Sequence, residues 1–471
     1  MLGSYLAALR GLHRNVRLYF VATALLGFSI DGGIYSVVFN LYLVRLGFGP
    51  EFIGVVNSAG LLVFALSSLP AGALGGRVGY RSMVIMGMVL IIVGGALLPL
   101  SQTIAPLAPG GWLITSYTLV LLGLAVYFVN AVPFLMEMTG TAQRGLAFSL
   151  QTGLLALAAM GGSLIGGFLP RLYATVLQIA QDQPDPYRFP LFISAALMLP
   201  ALAALLLTRG GERPPVDGEA MTPEQIDNPA YNAARARAIR RSVGVVLLAF
   251  GVIRFLQVAG IGAAGTFYNV YFDTQLDVPT SRIGLISAAA RLASVPAALL
   301  VPALVARWSA PRIVTLASAV TALSILPLIL SPRWELAGLG YVGVVVFSSM
   351  RYPAYLAYSM EMVPPNWRGV LSGSGEMAGG LSFSLLALAG GYIIAARGYS
   401  ALFLTGIALT MAGTLLFWGY VRMTRERRAG LPISGAGPNE ADQLSVRTDS
   451  PATAARNASP KSSTDSQSVY S

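Results

Sequence analysis

Apolar runs of about 20 to 30 residues follow one another along most of the chain, each closed by a short break of Pro, Gly or charged side chains. A helix needs roughly 20 apolar residues to cross a bilayer, so runs of this length predict membrane spans. The breaks place spans 1 to 6 near 17–44, 51–75, 82–101, 112–137, 145–169 and 188–208. Spans 7 to 12 follow near 242–272, 281–306, 311–331, 336–362, 368–396 and 399–422. The expected fold is an all-α membrane protein of twelve transmembrane helices in two six-helix bundles. No small-residue cleavage site follows span 1, so it is expected to stay as a helix rather than be removed as a signal peptide.

The second six spans repeat the first. Met136-Glu137-Met138 followed by Arg144-Gly145 returns as Met360-Glu361-Met362 followed by Arg368-Gly369, an offset of 224 throughout. Gly166-Gly167 returns as Gly390-Gly391 at the same offset. Internal symmetry between two hydrophobic halves is a mark of secondary transporters, whose solute site lies where the halves meet.

Composition strengthens the membrane reading and removes whole classes of chemistry. Hydrophobic residues make up 55% of the chain and charged residues 11%, against about 25% charged in soluble domains, and mean hydropathy is +0.67. The lone lysine is Lys461, so no phosphate-binding loop with its lysine is available and no nucleotide hydrolysis is expected. There is no cysteine and one histidine, His13, which leaves no thiol chemistry, soft-metal site or histidine triad. The chain is therefore expected to be no enzyme, with no metal and no cofactor, and any uphill transport must draw on an ion gradient.

With the N-terminus inside, nineteen arginines fall on the cytoplasmic side and six, Arg45, Arg171, Arg188, Arg282, Arg333 and Arg397, on the other. Basic residues mark cytoplasmic loops, so both termini are placed in the cytoplasm. The net charge of +11 is then a matter of topology and calls for no nucleic-acid partner. The expected bundles are residues 1–208 and 242–424. Between them lies a polar cytoplasmic loop, 209–241, with Pro214, Pro215, Pro223 and Pro229 and a basic end expected to lie on the membrane surface. Residues 425–471 are poor in large apolar side chains and are expected to form a disordered cytoplasmic tail.

Between spans 2 and 3 the chain reads Gly72-Ala-Leu-Gly-Gly76-Arg77-Val-Gly79-Tyr80-Arg81. This resembles the loop motif of the major facilitator superfamily, G-x-x-x-D-R-x-G-R-R, with Gly76 in place of the aspartate and Tyr80 in place of one arginine. A weaker copy, Ala306-Arg307-Trp308-Ser309-Ala310-Pro311-Arg312, lies between spans 8 and 9. In that family the motif is taken to brace an inner gate. The resemblance implies a gate built from Arg77, Arg81, Glu137, Arg144, Glu361 and Arg368, with Glu137 and Glu361 standing in for the missing acid. They could equally face solvent at helix ends. An arginine there can also reach the negative C-terminal end of a neighbouring helix. Gly162-Ser163-Leu-Ile-Gly166-Gly167 in span 5 looks like the family's glycine-rich antiporter motif with its proline replaced, and small residues let helices pack closely.

Charges inside spans are costly unless paired or wet, and so are functional candidates. There are five: Asp31, Arg254, Arg291, Arg351 and Glu376. Taking a carboxylate out of water favours its protonated form, which suits a proton carrier. Asp31 and Glu376 are the candidates for proton coupling, although a static bridge from Asp31 to Arg254 or Arg351, or from Arg351 to Glu376, fits the sequence as well. Arg351, Tyr355 and Tyr358 recur at helical spacing on one face, suited to a substrate bearing a carboxylate or phosphate. Arg254, Arg291, Tyr35, Asn40 and Asn269 complete the candidate substrate site, since Tyr268-Asn269-Val-Tyr271 echoes Phe39-Asn40-Leu-Tyr42 on the other lead helix.

The expected function is secondary active transport of a small organic solute by alternating access. Proton-coupled export of amphipathic, drug-like compounds leads, followed by transport of an anionic metabolite held by the intramembrane arginines. A sensor or scaffold that no longer transports is a minor alternative prompted by Gly76. The expected partners are a small-molecule substrate, a coupling proton and the lipid bilayer. The expected state is a monomer in the inner membrane of a prokaryote.

Overall fold

The computed structural model describes residues 13–104, 108–140, 144–209, 244–363 and 367–429, and every element in them is helical. The central loop and the tail beyond 429 lie outside the described residues. Ten of the described stretches are long and apolar enough to cross a membrane. They begin with Arg14–Arg45, Pro50–Val78, Tyr80–Ile104, Pro109–Met138, Ala147–Leu177 and Asp185–Leu206, and continue with Gly244–Thr274, Thr280–Trp308, Ala310–Leu330 and Gly373–Thr424. The last contains a non-helical residue, Gly398 (φ 81°), where spans 11 and 12 are expected to meet. Trp334–Met360, 27 residues long, occupies the place of span 10. The span numbers introduced above are kept for these helices.

Large apolar side chains cover the outside, with Leu299 74% and Leu330 75% exposed. That surface suits lipid and not water. Inside, one continuous core joins both halves, running through Leu26, Tyr42 and Val120 of the first and Phe267, Phe272 and Ile286 of the second. By contacts the chain forms a body up to Gly419 and a second unit from Tyr420, in which Thr424 donates its hydroxyl to the Tyr420 carbonyl (2.9 Å).

Two seams bring the halves together, and glycine sets the approach at both. Span 5 meets span 8 at Gly167 and Gly284, where an added Cβ on Gly167 would lie 2.9 Å from the Gly284 Cα. Span 2 meets span 11 at Gly54 and Gly391, where a Cβ on Gly54 would lie 3.2 Å from the Gly391 Cα. Gly167 and Gly391 are equivalent in the repeat, so the two seams are copies of one contact. Further along the second seam, Ser58 and Ser384 share a hydroxyl hydrogen bond (2.9 Å).

Candidate functional site

Span 1 is not one helix. Its first half ends at Ser29 and its second begins at Ile34. The Ile30 and Asp31 N–H groups both donate to the Leu26 carbonyl (2.8 and 3.0 Å). Gly32 then takes φ 83°, a conformation that side chains with a Cβ resist. Ser36 stitches the break, its Oγ accepting from the Gly32 N–H (2.9 Å) and donating to the Ile30 carbonyl (3.1 Å). Irregular backbone at membrane depth is tolerated where it borders a cavity, and this break does so. Hydropathy alone reads the span as continuous, although Asp31-Gly32-Gly33 is a breaker sequence inside an apolar run.

A cavity of about 370 Å³ lies between the bundles, bordered by spans 1, 2, 4, 7, 8, 10 and 11. Its two charged lining residues are Asp31 from the first bundle and Arg291 from the second. Arg291 lies against the backbone of Gly32, where a Cβ would overlap its guanidinium. Asp31 and Arg291 interact electrostatically, yet among the described residues no ion pair within 4 Å joins them.

Aromatic rings stack in both cavity walls. Phe39 lies on Tyr117 with centroids 4.4 Å apart and planes at 9°, and Tyr35 continues the stack at 5.2 Å from Phe39. Opposite, Tyr268 lies on Tyr341 at 4.0 Å and 11°, its hydroxyl hydrogen-bonded to Ser287 (2.7 Å). Tyr117 and Tyr341 are equivalent in the repeat. Neither is among the residues singled out from the sequence, although the offset of 224 relates them.

Polar tethers cross between the halves at the end of the cavity that carries Arg45. Asn40 donates its amide to the Thr266 carbonyl (2.8 Å) and Asn269 donates to the Val37 carbonyl (3.3 Å). Asn57 supports Asn40 by donating to its Oδ1 (2.9 Å). Arg45 makes two hydrogen bonds to Asp273 (2.7 and 2.6 Å) and lies over the Tyr187 ring. Tyr187 in turn shares a hydroxyl contact with Thr280 (3.1 Å). Asn40 and Tyr35 line the cavity, whereas Asn269 is placed as a tether outside its lining. Asp273 escapes a reading by composition, being a polar residue just past the expected end of span 7.

The remaining intramembrane charges do not line this cavity. Arg254 pairs with Glu376 (Nη2 to Oε1, 3.6 Å), and Tyr352 donates its hydroxyl to the same oxygen (2.9 Å). This corrects all three static bridges considered above, because Glu376 meets Arg254 and not Arg351, and Asp31 faces Arg291. Helical spacing gives the face on which a charge lies but not its neighbour. Arg351 is 3% exposed, and its Nε and Nη1 find no hydrogen-bond partner among the described residues. Tyr355 donates to the Phe250 carbonyl (3.1 Å), and Tyr358 packs between Phe250 and Phe417. The Arg351-Tyr355-Tyr358 stripe is thus interior to the second bundle.

At the other end, Arg81 caps span 6, donating to the Leu206 carbonyl (2.9 Å) and to Thr208 Oγ1 (3.2 Å). It reaches the negative end of a helix in its own bundle. Arg77 and Glu361 are exposed, and Glu137 is half-buried at the end of span 4. Arg144 and Arg368 begin spans 5 and 11, and their side chains lie outside the described part.

A model of the Major Facilitator Superfamily matches residues 20–385 and, in a second match, 251–451. The structure superposes on a D-xylose-proton symporter with a TM-score of 0.66 at 14% identity, covering 86% of this chain and 97% of that one. It superposes on a mutant of the nucleoside transporter NupG with a TM-score of 0.62 at 14% identity, covering 87% and 98%. For an auto-inhibited POT family peptide transporter the values are 0.64, 15%, 87% and 97%. At these identities the likeness is one of fold. No sequence among curated proteins matches the chain significantly.

Proposed function

Because the chain belongs to the Major Facilitator Superfamily, we propose that it is a twelve-span secondary transporter that couples proton movement to export of small, ring-bearing amphipathic compounds. The observation that carries this reading is the central cavity. It offers one carboxylate, Asp31, one guanidinium, Arg291, and a stacked aromatic wall in each bundle. Flat apolar rings gain from contact with such walls, and the two charges admit a polar group at one edge of the ligand.

In this reading Asp31 carries the coupling proton. Ionised, it attracts Arg291 across the cavity and holds the bundles together. Protonated, it releases that attraction, and the bundles rock about the glycine seams. The Arg45–Asp273 pair and the reciprocal asparagines form the gate facing away from the cytoplasm, with both termini on the cytoplasmic side of a prokaryotic inner membrane. The protein works as a monomer, and the Glu137–Arg144 and Glu361–Arg368 elements form the inner gate.

Asp31→Asn removes the titrating group and leaves its size. In proteoliposomes carrying a pH gradient, the variant is expected to lose uphill export of a fluorescent amphipathic dye at least tenfold while still exchanging dye down its own gradient. Uphill export at the wild-type rate would refute the coupling role. A second reading, transport of an organic anion, is favoured by the guanidinium of Arg291 on the cavity wall, which makes no ion pair within 4 Å among the described residues. Arg291→Gln then abolishes uptake of the anion, whereas in the first reading it slows dye export only in part.

A further inference from the structure

Two helical turns from the central cavity lies a second polar cluster that the proposed transport cycle does not use. Arg254 stands seven residues from the lining residue Ile261, Tyr352 seven from Val345 and Glu376 seven from Phe383. Seven residues is close to two full turns, about 10.5 Å along a helix. Tyr352 and Glu376 therefore repeat the cavity-facing direction of spans 10 and 11, displaced toward the end opposite Arg45. Span 7 turns at Val258, and Arg254 is placed with them by its contacts to Glu376 and the Tyr352 ring. Glu376 falls between Gly373 and Gly380, which approach Leu69 and Ala65 of span 2. It thus faces the cleft between the bundles.

The cluster holds two guanidinium groups and one carboxylate. Glu376 is 53% exposed, so its pairing with Arg254 is weak and exchangeable. Arg254 is held by the rings of Tyr352 and Tyr355, 4.8 and 5.5 Å from their centroids, and its Nε has no partner among the described residues. Arg351 is buried with two nitrogens unpartnered among the same residues, and Arg254 adds its repulsion. A buried guanidinium without a counter-charge is costly, and a carboxylate or phosphate matches its fork with two parallel hydrogen bonds.

We propose that Arg254 and Arg351 form a second binding station, for an oxyanion of the carboxylate or phosphate type, and that Glu376 is the internal carboxylate such a ligand displaces. The oxyanion is supplied by a solute in transit or by the headgroup of an anionic lipid. The station does not depend on proton coupling at Asp31.

The test is binding of 4-fluorobenzoate to the purified full chain, followed by fluorine NMR with inorganic phosphate as competitor. Glu376→Gln is expected to tighten binding about tenfold, Arg351→Gln to remove it and Arg282→Gln, exposed at the Arg45 end of span 8, to leave it unchanged. Wild-type affinity in Arg351→Gln, loss of binding in Arg282→Gln, or no binding in either the wild type or Glu376→Gln would overturn the station. Should Arg351→Gln fail to fold, the exposed Glu376→Gln decides alone, and an unchanged affinity there overturns it. In nanodiscs, displacement of fluorobenzoate by added phosphatidylglycerol identifies the lipid headgroup as occupant, and its persistence identifies a solute.

Discussion

Spans 1 and 7 open their respective bundles and carry the same outer furniture. Each sends an asparagine amide to a backbone carbonyl of the other, Asn40 to Thr266 and Asn269 to Val37, and each places a ring in a stacked cavity wall. They part company one level deeper. The register that equates Asn40 with Asn269 equates Asp31 with Gly260. At Asp31 the first helix is broken. Near Gly260 the seventh has only a turn, with its Gly262 N–H still donating to Val258 (2.9 Å) and its Gly260 N–H taken by the Thr410 hydroxyl (2.9 Å). The repeat preserves the contacts that hold the bundles, while each charge that lines the cavity, Asp31 or Arg291, is present in one copy alone.

The largest effect that tests this division is expected at the seams. Gly167→Val and Gly391→Val each force a side chain against facing backbone, at Gly284 in one case and Pro50 and Glu51 in the other. Overpacking of this kind costs about 3 kcal/mol, and both variants are expected to lose more than tenfold in transport rate. A seam that tolerated valine while its mate did not would show that one of them alone bears the movement.

The tethers come next. Asn40→Ala and Asn269→Ala each remove a hydrogen bond worth about 1 kcal/mol, a shift of roughly fivefold toward the state open at the Arg45 end. The chain has no cysteine, so labelling of Val278→Cys, buried beside Arg45 and Asp273, reports this opening without background. Equal acceleration in both variants confirms reciprocal tethers. Acceleration in one alone breaks the equivalence of spans 1 and 7.

The smallest effect lies in the tight turns that follow spans 2 and 8. Gly79 takes φ 104° in the first and Ser309 takes φ 73° with ψ 147° in the second. The serine stands in a conformation suited to glycine, at a cost of about 1 kcal/mol. Ser309→Gly is expected to raise thermal stability and Gly79→Ala to lower it by a comparable amount, measured by thermal unfolding in detergent.

The architecture can be read from the sequence because span length, the offset of 224 and the glycine pairs are local or periodic signals. Asp31 and Arg291 also stand out as candidates, since a charge in an apolar run is conspicuous. Pairings across the bundles are not legible. Arg45 and Asp273 lie 228 positions apart, and no spacing rule joins them. Hydropathy counts side chains and not backbone hydrogen bonds, which is why the break at Asp31-Gly32-Gly33 passes as continuous helix. The stacked pair Tyr117 and Tyr341 is available through the repeat, but aromatic residues are common in such helices and stand out only once their partners are seen.

The break in span 1 also divides the contacts of the span into two sets. Its first half is bonded inside its own bundle, with the Tyr19 hydroxyl accepting from Gln151 (2.8 Å), Thr23 meeting Tyr127 (3.3 Å) and Asn15 exchanging two bonds with Arg209 (3.1 and 3.2 Å). Its second half reaches across, through Asn40 and Arg45, to Thr266 and Asp273. That half also stays packed in the first bundle, with Phe39 on Tyr117 and the Tyr42 hydroxyl sharing a hydrogen bond with Ser101 (3.3 Å). The span is therefore a strut fixed to its own frame along its whole length and latched to the other frame only beyond the break. Asp31 sits where the latched part begins, so its charge marks the boundary between the two parts.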